Sequence, residues 1–346
     1  MSEQQERGSN GHAPVSNAPE EPREVAVPEG QEVYEEPFEG TGFEGAQEGR
    51  AQKEEAQVER VPGYEQMRAP LDRVLADPNV ALTAPDTRGL RDIAEASFGT
   101  LAAGRNPAAN PVVEASLAAP PVPEIVIGTD DRIQILNTSV YPWSAHASLV
   151  ITAADGSVWN GTGWFIGPHT LATAGHVVFI NRPGATFHGW VRSIQVMPGR
   201  NVSSLPYGSV TSNDLHSVNG WTQNGDQNYD YGAIRIPTEL GNNTGWFGFG
   251  VYSDNDLLAS AANISGYPGD KPDGTQWYHS RQVASVNSWK VFYDTDTAPG
   301  QSGSAVYRII GGSRYGIAIH AYGGTTVNNG TRIVQSVFDN LLAWKA

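Results

Sequence analysis

Residues 161–179 read GTGWFIGPHTLATAGHVVF. Two short apolar runs, WFIG and TLATA, are separated by Pro168-His169. The second is followed by an Ala174-Gly175 turn that delivers His176. Short runs rich in β-branched and aromatic residues, punctuated by turn residues, read as antiparallel strands. The pattern extends in both directions from here. IVIG, RIQIL and HASLVIT precede it. WVRSIQVM, YGAIRI, WFGFGVY, QVASVNSWKVFY, SAVYRII and YGIAIHAYG follow it. This spacing predicts an all-β barrel or sandwich over residues 125–346. Only the end, IVQSVFDNLLAWKA, has helical spacing, with Val334, Val337, Leu341 and Leu342 on one side.

The front of the chain has a different composition. All nine tryptophans lie between Trp143 and Trp344, and residues 1–124 hold 23 acidic against 10 basic side chains. That front portion therefore carries most of the net charge of −15, and the rest is nearly neutral. Nucleic-acid binding needs a basic face, which the composition does not supply. Residues 1–60, rich in Glu, Gln, Gly and Pro, bury too little apolar surface to fold and are expected to be disordered. Residues 61–124 read as a linker with weak helical spacing in LDRVL (71–75) and TRGLRDIAEASFGTLAAG (87–104). It closes on the proline-rich NPAANPVVEASLAAPPVPE (106–124). Without cysteine there is no disulfide, thiolate nucleophile or cysteine–zinc site. MSEQQERGSNGHAPVSN has no apolar core of the kind a secretory leader carries. No stretch approaches the roughly 18 apolar residues of a membrane span.

Three residues at strand edges form a chemical set. His176 follows TLATAG, Asp230 precedes an apolar strand in QNYDYGAIRIP, and Ser302 precedes another in PGQSGSAV. A nucleophilic serine needs a base for its proton and a carboxylate to fix that base's tautomer. Taken singly, each would be read as a turn, cap or loop residue. Together they supply the full set in the order His, Asp, Ser, whereas α/β-hydrolases run Ser, Asp, His. Gly300 and Gly303 let the backbone approach a carbonyl. The N–H groups of Gly300 and Ser302 are the candidate oxyanion donors. Ser304 stands where a G-x-S-x-G elbow needs its second glycine, against a lipase-type nucleophile.

Residues 125–346 resemble the glutamyl endopeptidases, the chymotrypsin-fold serine proteases of staphylococci and bacilli. The resemblance rests on GTGWFIGPHTLATAGHVVF (161–179), ISGYPGDKPDGTQW (264–277), YDTDTAPGQSGSAVY (293–307) and YGIAIHAYGG (315–324). It implies two six-stranded antiparallel β-barrels with the site in the cleft between them. It also implies His176 as base and acid, Asp230 as its orienter and Ser302 as nucleophile. Family members place a Thr or Ser and a His around the substrate glutamate, and the matching positions are Thr297 and His320. The family's Trp after that His is replaced by Ala321-Tyr322. Some members bind calcium. Asp254 and Asp256 in SDND are the place to look, although a solvated turn is the plainer reading and no metal ligand is assigned.

The resemblance also places the start of a mature chain at Ile125, directly after Glu124. Residues 1–124 then read as a propeptide cut at a glutamate, with an interacting acidic tail as the alternative. In ordinary trypsin-like enzymes the freed amine pairs with an acid just before the nucleophile, and here that residue is Gln301. The Ile125 amine is expected near the specificity pocket instead. The expected partners are peptide and protein substrates, met by a secreted monomer. Two other readings stay open: a protease of this fold with another specificity, and a relative that uses the cleft for recognition only.

Overall fold

The computed structural model describes residues 11–18, 37, 90–92, 99–101, 124–181, 187–324 and 326–345. For 90–92 and 99–101 only the backbone is described. One sheet contains, in spatial order, Pro14–Ser16, Asp214–Val218, Gly232–Arg235, Thr170–Thr173 and Val158–Phe165. It continues through His146–Thr152, Ser193–Pro198 and Val210–Ser212. The second sheet runs Ser313–Tyr322, Ala305–Ile310, Ala261–Gly266, Gln276–Val286, Lys290–Tyr293 and Asn328–Arg332. Its last strand pairs back onto Ser313–Tyr322, which closes a six-stranded antiparallel barrel. The all-β architecture expected from the strand pattern is therefore present, in the two barrel-like sheets that the family resemblance implied. The first sheet carries ten strands in all, more than the expected six: three short strands from the front of the chain add to seven from residues 146–235.

Two of these additions change the reading of the front portion. Leu90–Asp92 and Gly99–Leu101 form an antiparallel pair that joins Trp159 and Asn160, where helical spacing had been expected. The mixed three- and four-residue spacing there never defined a helical face, and a sheet edge offered backbone partners. Pro14–Ser16 also pairs with Asp214–Val218, inside a segment expected to be disordered. Net acidity describes residues 1–60 as a whole, but residues 8–19 contain no charged side chain and can lie against a protein surface. The remaining expectations for residues 1–123 lie outside the described residues.

One hydrophobic cluster runs from the first barrel into the second, which also holds a core of its own around Ile264, Val291 and Ile317. Phe247, between the two sheets, meets Tyr307 of the second barrel edge-on at 4.8 Å, and His146 (edge-on) and Trp164 (tilted) of the first at 5.1 and 6.1 Å. The Trp164 ring lies so close to Gly316 that a Cβ there would sit 2.6 Å from it. The closing helix, Gln335–Trp344, buries Val337, Phe338, Leu341 and Trp344. Leu342, expected on the buried side, is half-buried, and Phe338 and Trp344 take its place in the stripe. Phe338 packs on Phe249 at 5.1 Å, and the Trp344 carbonyl accepts a bond from the Thr170 hydroxyl at 3.1 Å. The last helix thus ties the second half of the chain back to the first barrel. Among the described residues, no helix is long and apolar enough to cross a membrane.

Gly316→Ala is expected to lower the stability of the fold by about 1–3 kcal/mol, the usual cost of overpacking a tight core. The urea midpoint measures it, and an unchanged midpoint would mean that Trp164 can yield.

Candidate active site

The edges of the two barrels bring His176 against Asp230, and Ser302 and His320 around Glu124. His176 lies in a single helical turn, Gly175–Val178, directly after Thr170–Thr173. The turn can sit there because residue 175 is glycine: a Cβ would lie 2.9 Å from both Asp230 Oδ1 and the Trp221 ring. Asp230 follows a short 3-10 turn, Gln227–Tyr229, and is fully buried. Its Oδ1 accepts from the His176 backbone N–H at 2.8 Å, and its Oδ2 lies 2.7 Å from His176 Nδ1. A carboxylate held at both the ring and the backbone fixes the imidazole in place and position.

Sequence reasoning missed what lies behind this pair. The Tyr322 hydroxyl donates to Asp230 Oδ2. Burial, with the Asp230 charge adding to it, holds the Tyr322 proton well above the ordinary tyrosine range. Lys290 Nζ donates to the Gln227 carbonyl and, at 3.0 Å, to Thr331 Oγ1, and sits 5.1 Å from the Tyr322 ring. Burial alone would raise the Asp230 pKa, but His176, Tyr322 and Lys290 outweigh it and keep the carboxyl below its ordinary value. Burial in turn pushes the Lys290 ammonium down to about 8, against the opposing pull of Asp230 and Asp226. Tyr322 was readable in IHAYGG, though only as a departure from the family; nothing in the sequence marked Lys290.

Ser302 sits in a turn shaped by two glycines with left-handed φ, Gly300 at +101° and Gly303 at +89°. A Cβ at Gly303 would lie 2.1 Å from Thr173 Oγ1 and 2.2 Å from the Thr162 carbonyl. Thr162 ties the turn to the first barrel. Its N–H donates to the Ser302 carbonyl at 2.9 Å and its hydroxyl to the Gly300 carbonyl at 2.8 Å. On the other side the Gly303 N–H donates to the His320 carbonyl at 2.8 Å. Gln301, in the place of the usual acid, accepts from the Ala298 N–H at 3.1 Å and faces Arg132 Nη1 at 3.4 Å.

The pocket beside Ser302 contains a carboxylate from this chain. Glu124 is 3% exposed, and its Oε1 accepts the Ser302 hydroxyl bond. The same oxygen lies 3.6 Å from His320 Nε2. The Tyr293 hydroxyl is 2.6 Å from His320 Nδ1. Burial, reinforced by the Glu124 charge, keeps the Tyr293 proton in place. The hydroxyl therefore donates to Nδ1, which leaves the imidazole proton on Nε2, on the side of the carboxylate. Burial and the neighbouring His176 lower the His320 pKa to about 3, so this imidazole is a neutral donor.

The other expected pocket residues are near but differently used. The Thr297 N–H donates to the Ile125 carbonyl at 3.2 Å, while its buried hydroxyl has no hydrogen-bond partner among the described residues. Asn328, which no sequence signal identified, brackets Ile125. It accepts from the Ile125 N–H at 3.0 Å and donates to its carbonyl at 2.7 Å. Asp254 and Asp256 belong to a short helix, Asp254–Leu258. Asp254 pairs with Arg332 at 2.7 Å, and Asp256 bonds the Ser253 cap. Asp131, His279 and Asp296 could each offer one atom to a metal ion. The Asp296 oxygens already accept from the Ile127 and Asp131 N–H groups, at 2.7 and 3.0 Å.

No family model matches the chain. The glutamyl endopeptidase of Bacillus licheniformis is 44% identical over 228 residues, 64% of this chain and 69% of that protein. An extracellular metalloprotease of Bacillus subtilis is 39% identical over 224 residues, 64% of this chain and 70% of that one. Among solved structures, a Glu endopeptidase in complex with MPD superimposes with a TM-score of 0.55 at 26% identity. It covers 64% of this chain and 98% of its own. A thermostable serine protease from an extremophilic microorganism matches in fold, with a TM-score of 0.50 at 14% identity, over 58% of this chain and 97% of its own.

Lys290 gives a pH test of the buried cluster. Its folded pKa of about 8 lies below the ordinary value, so the unfolded chain binds more protons between about pH 8 and 10.5. Its contribution to stability is complete above that window and is lost as pH falls through 8, by on the order of 3 kcal/mol. The stability difference between wild type and Lys290→Met should change with pH across that window. A pH-independent difference would mean that Lys290 is not titrating there.

Proposed function

The chain belongs to the glutamyl endopeptidases, which are serine endopeptidases, and we propose that it cuts peptide bonds after glutamate and is held inactive by its own Glu124. His176 takes the Ser302 proton as Oγ attacks the scissile carbonyl carbon. The N–H groups of Gly300 and Ser302 receive the oxyanion. The imidazolium then protonates the leaving amine as the C–N bond breaks. Water, activated by the same imidazole, hydrolyses the acyl-enzyme. Asp230 stays ionised throughout and stabilises the imidazolium. The setting is extracellular, in line with the name of the B. subtilis relative, and the substrates are peptides and proteins met by a monomer.

The observation that carries this reading is the buried Glu124 carboxylate between Ser302 and His320. A glutamate side chain fits the place assigned to the substrate glutamate. Its carboxylate, rather than its carbonyl, faces the nucleophile, so the uncut chain is both recognised and unreactive. Residues 1–124 then act as a propeptide, and the Glu124–Ile125 bond is cut by another molecule once the pocket releases it. The freed Ile125 amine stays by Asn328 and Thr297, where it adds positive charge beside the pocket.

Intact mass of purified Ser302→Ala is expected to show the uncut chain, and a trace of wild-type enzyme should convert it to residues 125–346. His320→Ala should lower kcat/KM for Glu peptides by about 10²-fold or more while cleavage of a small unselective ester persists. Unchanged preference would remove His320 from the pocket. A serine-directed phosphonate should abolish peptide cleavage, and a chelator should not. Chelator-sensitive, phosphonate-resistant cleavage would favour metal chemistry, and no cleavage after processing would favour the recognition-only reading.

A further inference from the structure

The front of the chain reaches the back of the active site. Residues 14–16 extend the first sheet in register Pro14↔Val218, Val15↔Ser217 and Ser16↔His216. Backbone bonds continue past both ends, from the Asn219 N–H to the Ala13 carbonyl at 2.9 Å and from the Asn17 N–H to the Leu215 carbonyl at 3.2 Å. Asn17 Oδ1 accepts the Leu215 N–H at 2.8 Å. A proline suits such an added edge strand, because its missing N–H need not face the ladder. Side chains supply the specificity. His12 is 9% exposed and stacks on Trp289 at 5.7 Å and, tilted, on Tyr229 at 4.7 Å. Its Nδ1 lies 2.9 Å from the Tyr231 hydroxyl, and its carbonyl accepts from Asn340 Nδ2 at 2.9 Å. The Tyr229 ring is sandwiched between two glycines: a Cβ at Gly11 would lie 2.4 Å from it, and one at Gly220 2.3 Å.

Tyr229 and Tyr231 flank Asp230, so this segment grips the chain on both sides of the buried carboxylate. We propose that the aromatic pocket of Tyr229, Tyr231 and Trp289, with the edge of strand Asp214–Val218, is a docking site for residues 11–18 that keeps hold of them after the bond at Glu124 is cut. The active protein is then a two-chain complex of fragments 1–124 and 125–346. The retention rests on the cut proposed above; the docking itself does not. No scission is needed to form it, and nothing in the cleft competes for it, because it lies behind Asp230 and away from Glu124.

The test separates the two. A full-length Ser302→Ala chain receives the recognition sequence of an unrelated protease between residues 50 and 60, so that the front fragment keeps residues 11–18 but not the strands Leu90–Asp92 and Gly99–Leu101 that also join the first sheet. It is nicked by that protease, passed through a size-exclusion column and identified by denaturing mass. Both fragments are expected in one peak. Gly11→Phe, which drives a ring into Tyr229, and His12→Ala should each release the front fragment into a later peak. Separate peaks from the unmutated nicked chain would overturn the proposal, as would an unchanged single peak for both variants. Denaturing mass of the untreated wild-type chain reports independently on the cut after Glu124. Failure there, with the nicked fragments still joined, would remove the activation reading and leave the docking site standing.

Discussion

A carboxylate with no access to water is the constraint around which this molecule is organised. Removing an ionised group from solvent is costly unless donors and counter-charges replace the hydration it loses. Asp230 meets that demand with groups from distant parts of the chain: the His176 backbone and ring, the Tyr322 hydroxyl and the Lys290 ammonium. His176 comes from the first barrel, and Tyr322 and Lys290 come from the second. Docking the barrels and satisfying Asp230 are therefore one event. A misplaced second barrel would leave the buried charge without the Tyr322 hydroxyl and the Lys290 ammonium.

The order and context of His176, Asp230 and Ser302 were legible because each needs a particular turn, and glycine-bearing turns leave a mark in sequence. The strands were legible because short β-branched and aromatic runs stand between turn residues. Leu342 illustrates the limit at the helix, where spacing named a face but the larger rings of Phe338 and Trp344 filled it. Tyr322 was visible only as a substitution, since its value lies in an oxygen that reaches across to another barrel. Lys290 and Asn328 had no local signature at all. Their roles come from pairing between strands far apart in sequence, at Lys290↔Thr331 and Tyr293↔Asn328.

The front of the chain shows how an average can mislead. The composition of residues 1–60 is acidic and poor in large apolar groups, yet the short uncharged stretch around His12 makes backbone and ring contacts with the body. Four or five residues added to a sheet edge have no periodicity to detect, and their stabilisation comes from a partner strand made elsewhere. Glu124 is a second case. Its position before Ile125 was readable as a cleavage signal, but the carboxylate's approach to Ser302 depends on how Asp296 and Asn328 hold the following residues.

The closing helix has a consequence for the timing of synthesis. The Trp344 carbonyl takes the Thr170 hydroxyl, and the Trp344 ring packs on Tyr231 at 5.8 Å and His216 at 5.7 Å. Strands that emerge early from the ribosome thus wait for residues made late before their core is covered. Domains generally fold N-terminal first during translation, but here the first barrel cannot finish alone. A growing chain therefore carries His176 long before it carries Lys290, Ser302 and Tyr322, the groups that make His176 useful.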